Sequence, residues 1–196
     1  MLAYPDPELT DDVVRLRRWT DGDVGCVREA SADRFIVEGT TVPATFTDEA
    51  GRAFIARQLA RAEAGEGLSL AIADAATGVA QGLVWLGVRP QSGVVGIGYW
   101  VVPAARGRGI ARRAVRLAAR WSLLIQGERR VEAWVEPDNE PSQRVLRAAG
   151  FRRERVLRSF LDFGSRRADA VVFACVASDI AAGSADGRRP HPRSAG

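Results

Sequence analysis

The chain has 196 residues, 46% of them hydrophobic and 27% charged, enough for one globular core and no more than a single folded domain. Two cysteines, Cys26 and Cys175, and one histidine, His191, rule out a disulfide framework and a zinc site made by the protein alone. The formal charge of +4 invites a nucleic-acid reading, but all 28 basic residues are arginine, a pattern closer to coding bias than to selection for phosphate grip.

Residues 1–10 are acidic and proline-bearing, which reads as an N-terminal extension rather than a secretion signal, and no apolar run is long enough to span a membrane. The expected setting is cytoplasmic, with no membrane partner, no strong nucleic-acid signal and no metal. Val13 to Arg17 alternates as a half-buried strand, and Thr20 or Asp21 caps a short helix through Ala30. Phe35 to Phe46 reads as a loop with apolar anchors, and Thr47-Asp48-Glu49 opens a second helix that ends near Gly65. Leu68 to Asp74, Val79 to Val88 and Val94 to Val102 follow as strands joined by hairpin turns. A long amphipathic helix then starts at Ile110, with Ala114, Leu117, Ala118 and Trp121 on one face and Arg112, Arg113, Arg116 and Arg120 on the other. Val131 to Val135 is a further strand, and Pro141 to Ala149 a short helix. Phe151 to Leu161 and Ala168 to Ala177 form a last pair of strands. The folded domain is thus expected over residues 11–177, and residues 178–196 as a disordered tail of Ala, Gly, Ser, Pro and Arg.

The chemistry concentrates between Gly98 and Ala111. A short apolar strand meets Pro103, a basic glycine-bearing loop, and a helix start, which aims backbone N–H groups and a positive dipole end at one spot. Two phosphate loops are excluded: no Lys-Ser/Thr follows Gly109, as a Walker loop requires, and the third glycine of a dinucleotide loop is missing. What remains is Arg106-x-x-Gly109-x-Ala111. Downstream, Val135-Glu136-Pro137-Asp138-Asn139-Glu140-Pro141-Ser142 leads to Val145-Leu146-Arg147-Ala148-Ala149-Gly150-Phe151.

These two motifs, in this order, resemble the pyrophosphate loop and the Asn-x-x-Ser turn of the GNAT N-acetyltransferases, most closely the branch with the ribosomal-protein N-terminal acetyltransferases. The resemblance runs from Val13 to Ala177. It implies an α+β, three-layer fold: a mixed, mostly antiparallel twisted sheet of about seven strands, splayed in the middle and flanked by about four helices. It also implies acetyl-CoA as co-substrate. Backbone groups of Trp100, Val101 and Val102 would meet the pantetheine arm, and the amides of Arg106, Gly107, Arg108, Gly109, Ile110 and Ala111 would wrap the pyrophosphate. Asn139 would contact the arm, and Ser142 would lie beside the sulfur and protonate the departing thiolate.

Relatives often carry Glu where this chain has Gly96, so the general base is displaced; Glu132, with Glu136 and Glu38, is the carboxylate candidate. Phe35 and Glu38 in the early loop, with Tyr99, are the expected acceptor contacts, since the family builds its acceptor pocket there. The acceptor would be a protein N-terminus or a small-molecule amine, and dimers are common enough in the family that a homodimer is compatible with the resemblance. The alternative reading is a non-catalytic acyl-CoA-binding sensor or scaffold protein.

Overall fold

The computed structural model describes residues 2–164 and 166–180. Its core is one eight-stranded sheet: β1 (Leu9–Thr10), β2 (Val14–Arg17), β3 (Gly67–Asp74), β4 (Ala80–Val88), β5 (Val94–Val101), β6 (Arg130–Val135), β7 (Arg152–Asp162) and β8 (Arg167–Cys175). The spatial order is β1-β2-β3-β4-β5-β6-β8-β7, antiparallel throughout except for the parallel pair β5–β6. Five α-helices accompany it among the described residues before β8: α1 (Val24–Ser31), α2 (Arg34–Gly39), α3 (Asp48–Glu63), α4 (Ile110–Leu124) and α5 (Glu140–Ala148).

The mixed sheet has the expected form, with one strand and one helix more than the sequence pattern predicts. The extra strand, β1, lies inside the expected N-terminal extension, and Leu2 of the same segment is buried in the core. Within the expected extension, Leu9 and Thr10 thus pair into the sheet and Leu2 packs in the core. The extra helix, α2, takes up the start of the loop expected from Phe35 to Phe46 and is capped by Asp33, whose carboxylate accepts from the N–H groups of Phe35 and Ile36 at 2.9 and 3.2 Å. At the other end, Ser178 to Ile180 continue a helical turn from Ala177, and Asp179 receives Arg152 at 2.7 Å. Residues 178–180 of the expected tail are thus ordered in this turn, and the rest of it lies outside the described residues.

The site is created where β5 and β6 part. They pair over only three rungs, Val94↔Arg130, Val95↔Val131 and Gly96↔Glu132, and β5 runs on to Val101 with no partner on that side. A parallel neighbour needs a crossover, and α4 supplies it, starting just past the free end of β5. Side chains alternate along β5. Ile97, Tyr99 and Val101 point to the layer of α4 and α5; Gly96, Gly98 and Trp100 point to the opposite layer, where Trp100 packs against Trp19, and Trp19 edge-on against Phe54 of α3. The core fills both layers, with Leu16, Leu70, Ile72, Val84, Leu86, Ala114 and Ala118 all fully buried.

Candidate active site

The loop from Pro103 to Gly109 is built to admit a ligand's backbone-hugging group. Pro103 opens a short 3-10 turn to Ala105, and Gly107 and Gly109 then both take left-handed backbone angles, φ 75° and 74°. An L side chain there costs about 1–2 kcal/mol, so glycine is required by conformation. Space also matters: a β-carbon on Gly107 would meet nothing within 4 Å, and one on Gly109 only the end of Arg112. The first amides of α4 have no intrahelical acceptor, and the helix runs 15 residues behind them. A pyrophosphate fits this open, donor-rich loop.

Arg106 has a different role from the one its motif position suggests. Its N–H bonds the Pro103 carbonyl at 3.2 Å, its Nε the Val101 carbonyl at 3.0 Å, and its Nη2 the Asp33 carboxylate at 2.7 Å. The residue ties the loop to the start of α2. The strand contacts sort in the same way. Val102 N–H is committed to the Gln81 carbonyl of the neighbouring β4 side at 2.9 Å, and alternation turns the Trp100 backbone to β4 as well. Trp100 and Val102 therefore do not offer donors to the splay. Val101 does, and Tyr99 and Ile97 share its direction.

Asn139 caps α5, its side chain accepting from Ser142 N–H at 3.1 Å. That cap holds Ser142 in the first turn, facing the splay from the α5 side. Tyr99, expected among the acceptor contacts, points here instead: its hydroxyl lies 2.8 Å from Ser142 Oγ and 3.0 Å from the Ser142 carbonyl. Burial pushes the Tyr99 phenol up to about 12, against the opposing pull of the Ser142 hydrogen bond, so it stays protonated at neutral pH. Neither motif signals this pair. Only the parity of Tyr99 along β5, read together with α5 crossing that face, reveals it.

Glu132 is brought to the vertex of the splay, opposite Gly96, but its carboxylate is spent: Arg130 Nε donates to it at 2.7 Å, while the other Arg130 nitrogens hold Glu154 at 2.9 and 2.6 Å. Glu136 is likewise gripped by both terminal nitrogens of Arg166, at 2.6 and 2.9 Å. Phe35 and Glu38 sit one turn apart on α2, with Phe35 72% exposed, and the field of Glu38 reaches Arg166 in the β7–β8 hairpin. These two stay together at the mouth on the layer opposite Tyr99.

A residue without any motif signal occupies the expected base position. The Arg89 guanidinium lies over Gly96, its Cζ and Nε each 2.5 Å from where a Gly96 β-carbon would be, and stacks 3.7 Å from the Trp134 ring centroid. No group of three or more metal-ligating side chains is found among the described residues.

A parallel pair that splays after three rungs, with a glycine loop and helix start at its open end, defines an acyl-CoA transferase fold. Residues 14–152 match the model of the acetyltransferase (GNAT) domain, and the chain belongs to that family. It is 42% identical over 62 residues to the probable N-acetyltransferase YjcK of Bacillus subtilis, covering 32% of this chain and 34% of that protein. It is 30% identical over 91 residues to the uncharacterized N-acetyltransferase p20 of Bacillus licheniformis, covering 46% and 51%. The matches thus span between a third and a half of these curated relatives' lengths. Among solved structures, Mycobacterium smegmatis RimJ in complex with CoA-disulfide superposes with a TM-score of 0.76 at 26% identity, covering 92% of this chain and 93% of that one.

Proposed function

We propose that the chain transfers the acetyl group of acetyl-CoA to a primary amine by direct attack within a ternary complex. The observation that carries this reading is the splay of β5 from β6, with the loop of Gly107 and Gly109 at its open end. The neighbour that holds CoA-disulfide supports it. Acetyl-CoA supplies a thioester carbonyl activated toward amines. Amides of Gly107 to Ala111 hold the pyrophosphate, and the Val101 and Tyr99 backbone groups on the open edge orient the pantetheine arm. In the transfer the amine nitrogen bonds to the acetyl carbon, the carbon–sulfur bond breaks, the nitrogen loses a proton and the sulfur gains one.

Ser142 is the proton donor to the sulfur, and Tyr99 is its positioning partner. The single Tyr99 hydroxyl proton has two acceptors within reach, the Ser142 carbonyl at 3.0 Å and Ser142 Oγ at 2.8 Å; turned to the carbonyl it receives the Ser142 hydrogen in exchange, and turned to Oγ it frees that hydrogen to point into the splay. On the nitrogen side, Gly96 offers no carboxylate and Glu132 is paired with Arg130. An α-amine, with a pKa near 7.7–8.0, is appreciably neutral at physiological pH, whereas a lysine amine near 10.4 is not. The acceptor is therefore an α-amine or a similarly weak base, small or at a protein N-terminus.

Thiol release measured together with acetylated amine tests the assignment. Both protein cysteines are buried, with burial pushing Cys175 up to about 11 and Cys26 higher, so a thiol reagent reports on CoA. Equal amounts of thiol and acetylamine support transfer. Binding of acetyl-CoA with no amine-dependent thiol would instead support a non-catalytic acyl-CoA sensor, the reading that the missing base favours.

A further inference from the structure

The vertex of the splay holds a cation that nothing neutralises by contact. Arg89 follows β4 in the turn toward β5, and its side chain doubles back across both central strands, over Gly96 of β5 and against Trp134 of β6. Its Nε is buried with no hydrogen-bond partner, and no hydrogen bond or ion pair holds its guanidinium nitrogens among the described residues, the backbone N–H alone donating to the Val94 carbonyl at 3.2 Å. Burial makes its charged form less favourable, opposed only by the field of Glu132, whose own carboxylate is bonded to Arg130. A half-desolvated guanidinium with a buried donor unpaired is costly, and such a group calls for an explanation.

The surroundings have the shape of a ligand site. Gly98, next along β5 on the same face, would meet nothing within 4 Å if it carried a β-carbon. Trp134 flanks the gap on one side, braced edge-on by Phe160 at 4.7 Å. Trp85, paired with Gly98 across the sheet and capped by Arg61 at 4.8 Å, flanks it on the other. The result is an aromatic-walled, glycine-floored recess on the layer of α2, with one cation at its inner end. Two residues of strand span only about 7 Å, so a group held by Arg89 sits within a few bonds of an amine placed over Gly98.

We infer that Arg89 is a specificity-determining residue that binds a carboxylate of the acceptor, which is therefore an amino acid or a close derivative with its carboxylate free. A free carboxylate holds its own α-amine more basic than a peptide N-terminus, and pairing with Arg89 offsets that field, so the amine gives up its proton more readily once bound. The inference rests on the acetyltransferase reading for the identity of the bound amine. A guanidinium fork matches a carboxylate bidentately, and at this vertex the ring of Trp134 fixes the plane of the fork. A polyamine or aminoglycoside would bring a further cation to Arg89 and is disfavoured by like charge.

The test compares matched acceptors: amino acids of apolar, acidic and basic side chain, their amides, and the amines left by removing the carboxylate. In the wild-type protein kcat/KM should favour each acid over its amide by about tenfold to a hundredfold, the range for a charge-assisted hydrogen-bonded pair. Arg89→Gln should flatten that ratio to near unity while keeping the thermal stabilisation by acetyl-CoA, and Arg89→Lys should fall between. A second readout needs no turnover: with CoA saturating, N-acetyl amino acids should raise the melting temperature, their amides should not, and Arg89→Gln should abolish the difference. Equal use of acids and amides by the wild type overturns the inference, as does faster acetylation of peptide N-termini than of either, or an unchanged preference in Arg89→Gln. Failure of the wild type to bind acetyl-CoA would contradict the acetyltransferase reading instead, and the stabilisation by N-acetyl amino acids in the absence of CoA would then decide the Arg89 site on its own.

Discussion

The hydroxyl of Tyr99 lies 2.8 Å from Oγ of Ser142, joining the free end of β5 to the first turn of α5 across the open side of the splay. Tyr99 remains protonated at neutral pH, with burial pushing it up to about 12, so the pair holds two hydroxyl protons and can pass one outward. Tyr99→Phe removes the partner but leaves the ring. We expect kcat to fall about tenfold or more with KM for acetyl-CoA nearly unchanged, and Ser142→Ala to fall further, in the range of general-acid catalysis. The double variant should be no slower than Ser142→Ala alone, and steady-state kinetics over the four proteins would show it.

Gly109 sits at φ 74° immediately before α4, where a β-carbon is strained even though space is available. Gly109→Val should cost about 1–2 kcal/mol of stability and weaken acetyl-CoA binding by more than tenfold, because the loop must relax away from the conformation that presents its amides. Isothermal titration with CoA measures the second effect separately from the first.

Asp33 has two tasks, capping α2 and receiving Arg106 at 2.7 Å. Arg106 is nearly half exposed on its side chain, so Arg106→Ala should cost no more than about 1 kcal/mol. Asp33→Ala should cost about 2 kcal/mol, since the cap is lost with the ion pair. Denaturant melts of both variants and the double variant test the order, and Arg106→Ala should also loosen the cofactor loop enough to raise the Kd for CoA.

Asp23 is nearly fully buried and accepts both terminal nitrogens of Arg17, at 2.8 and 2.7 Å, and the Thr20 N–H at 2.8 Å. Burial alone would raise its pKa, but those donors outweigh it and hold the carboxyl below the ordinary 3.8. A depressed native pKa means the stabilisation is fully present above 3.8 and is lost as pH falls through the native value. Asp23→Asn should therefore cost about 3 kcal/mol at neutral pH by leaving the largely covered Arg17 with the Arg18 and Gly78 carbonyls but no counter-charge. The gap in melting temperature between wild type and variant should narrow below about pH 4.

Most of the fold is legible in the chain because its long elements carry strong patterns. The arginine-flanked apolar stripe of α4 and the hairpins of β3, β4 and β5 need no tertiary help to be read. β1 and α2 escape for opposite reasons. β1 is two residues held by pairing with Leu16 and Arg15, too short for any periodicity. α2 contains Phe35, Ile36 and Val37, poor helix formers in isolation, and exists because Asp33 caps it and Ile36 is buried. The site divides likewise. Glycines at 107 and 109 announce the loop, whereas the direction of each donor on β5 depends on which strand it pairs with, and that is a tertiary fact. Arg89 is least legible of all, since Val88-Arg89-Pro90 reads only as the end of a strand; its meaning comes from Gly96, a glycine whose missing side chain leaves the place that Arg89 fills.

Thermal stabilisation by acetyl-CoA, with ATP as a phosphate-bearing control, tests most directly whether the splay and its loop hold this co-substrate. At a hundredfold excess over Kd the added stability should be about 2.7 kcal/mol, a rise of several degrees, well beyond that given by ATP. An unchanged melting temperature at millimolar acetyl-CoA, or an equal shift with ATP, would contradict it.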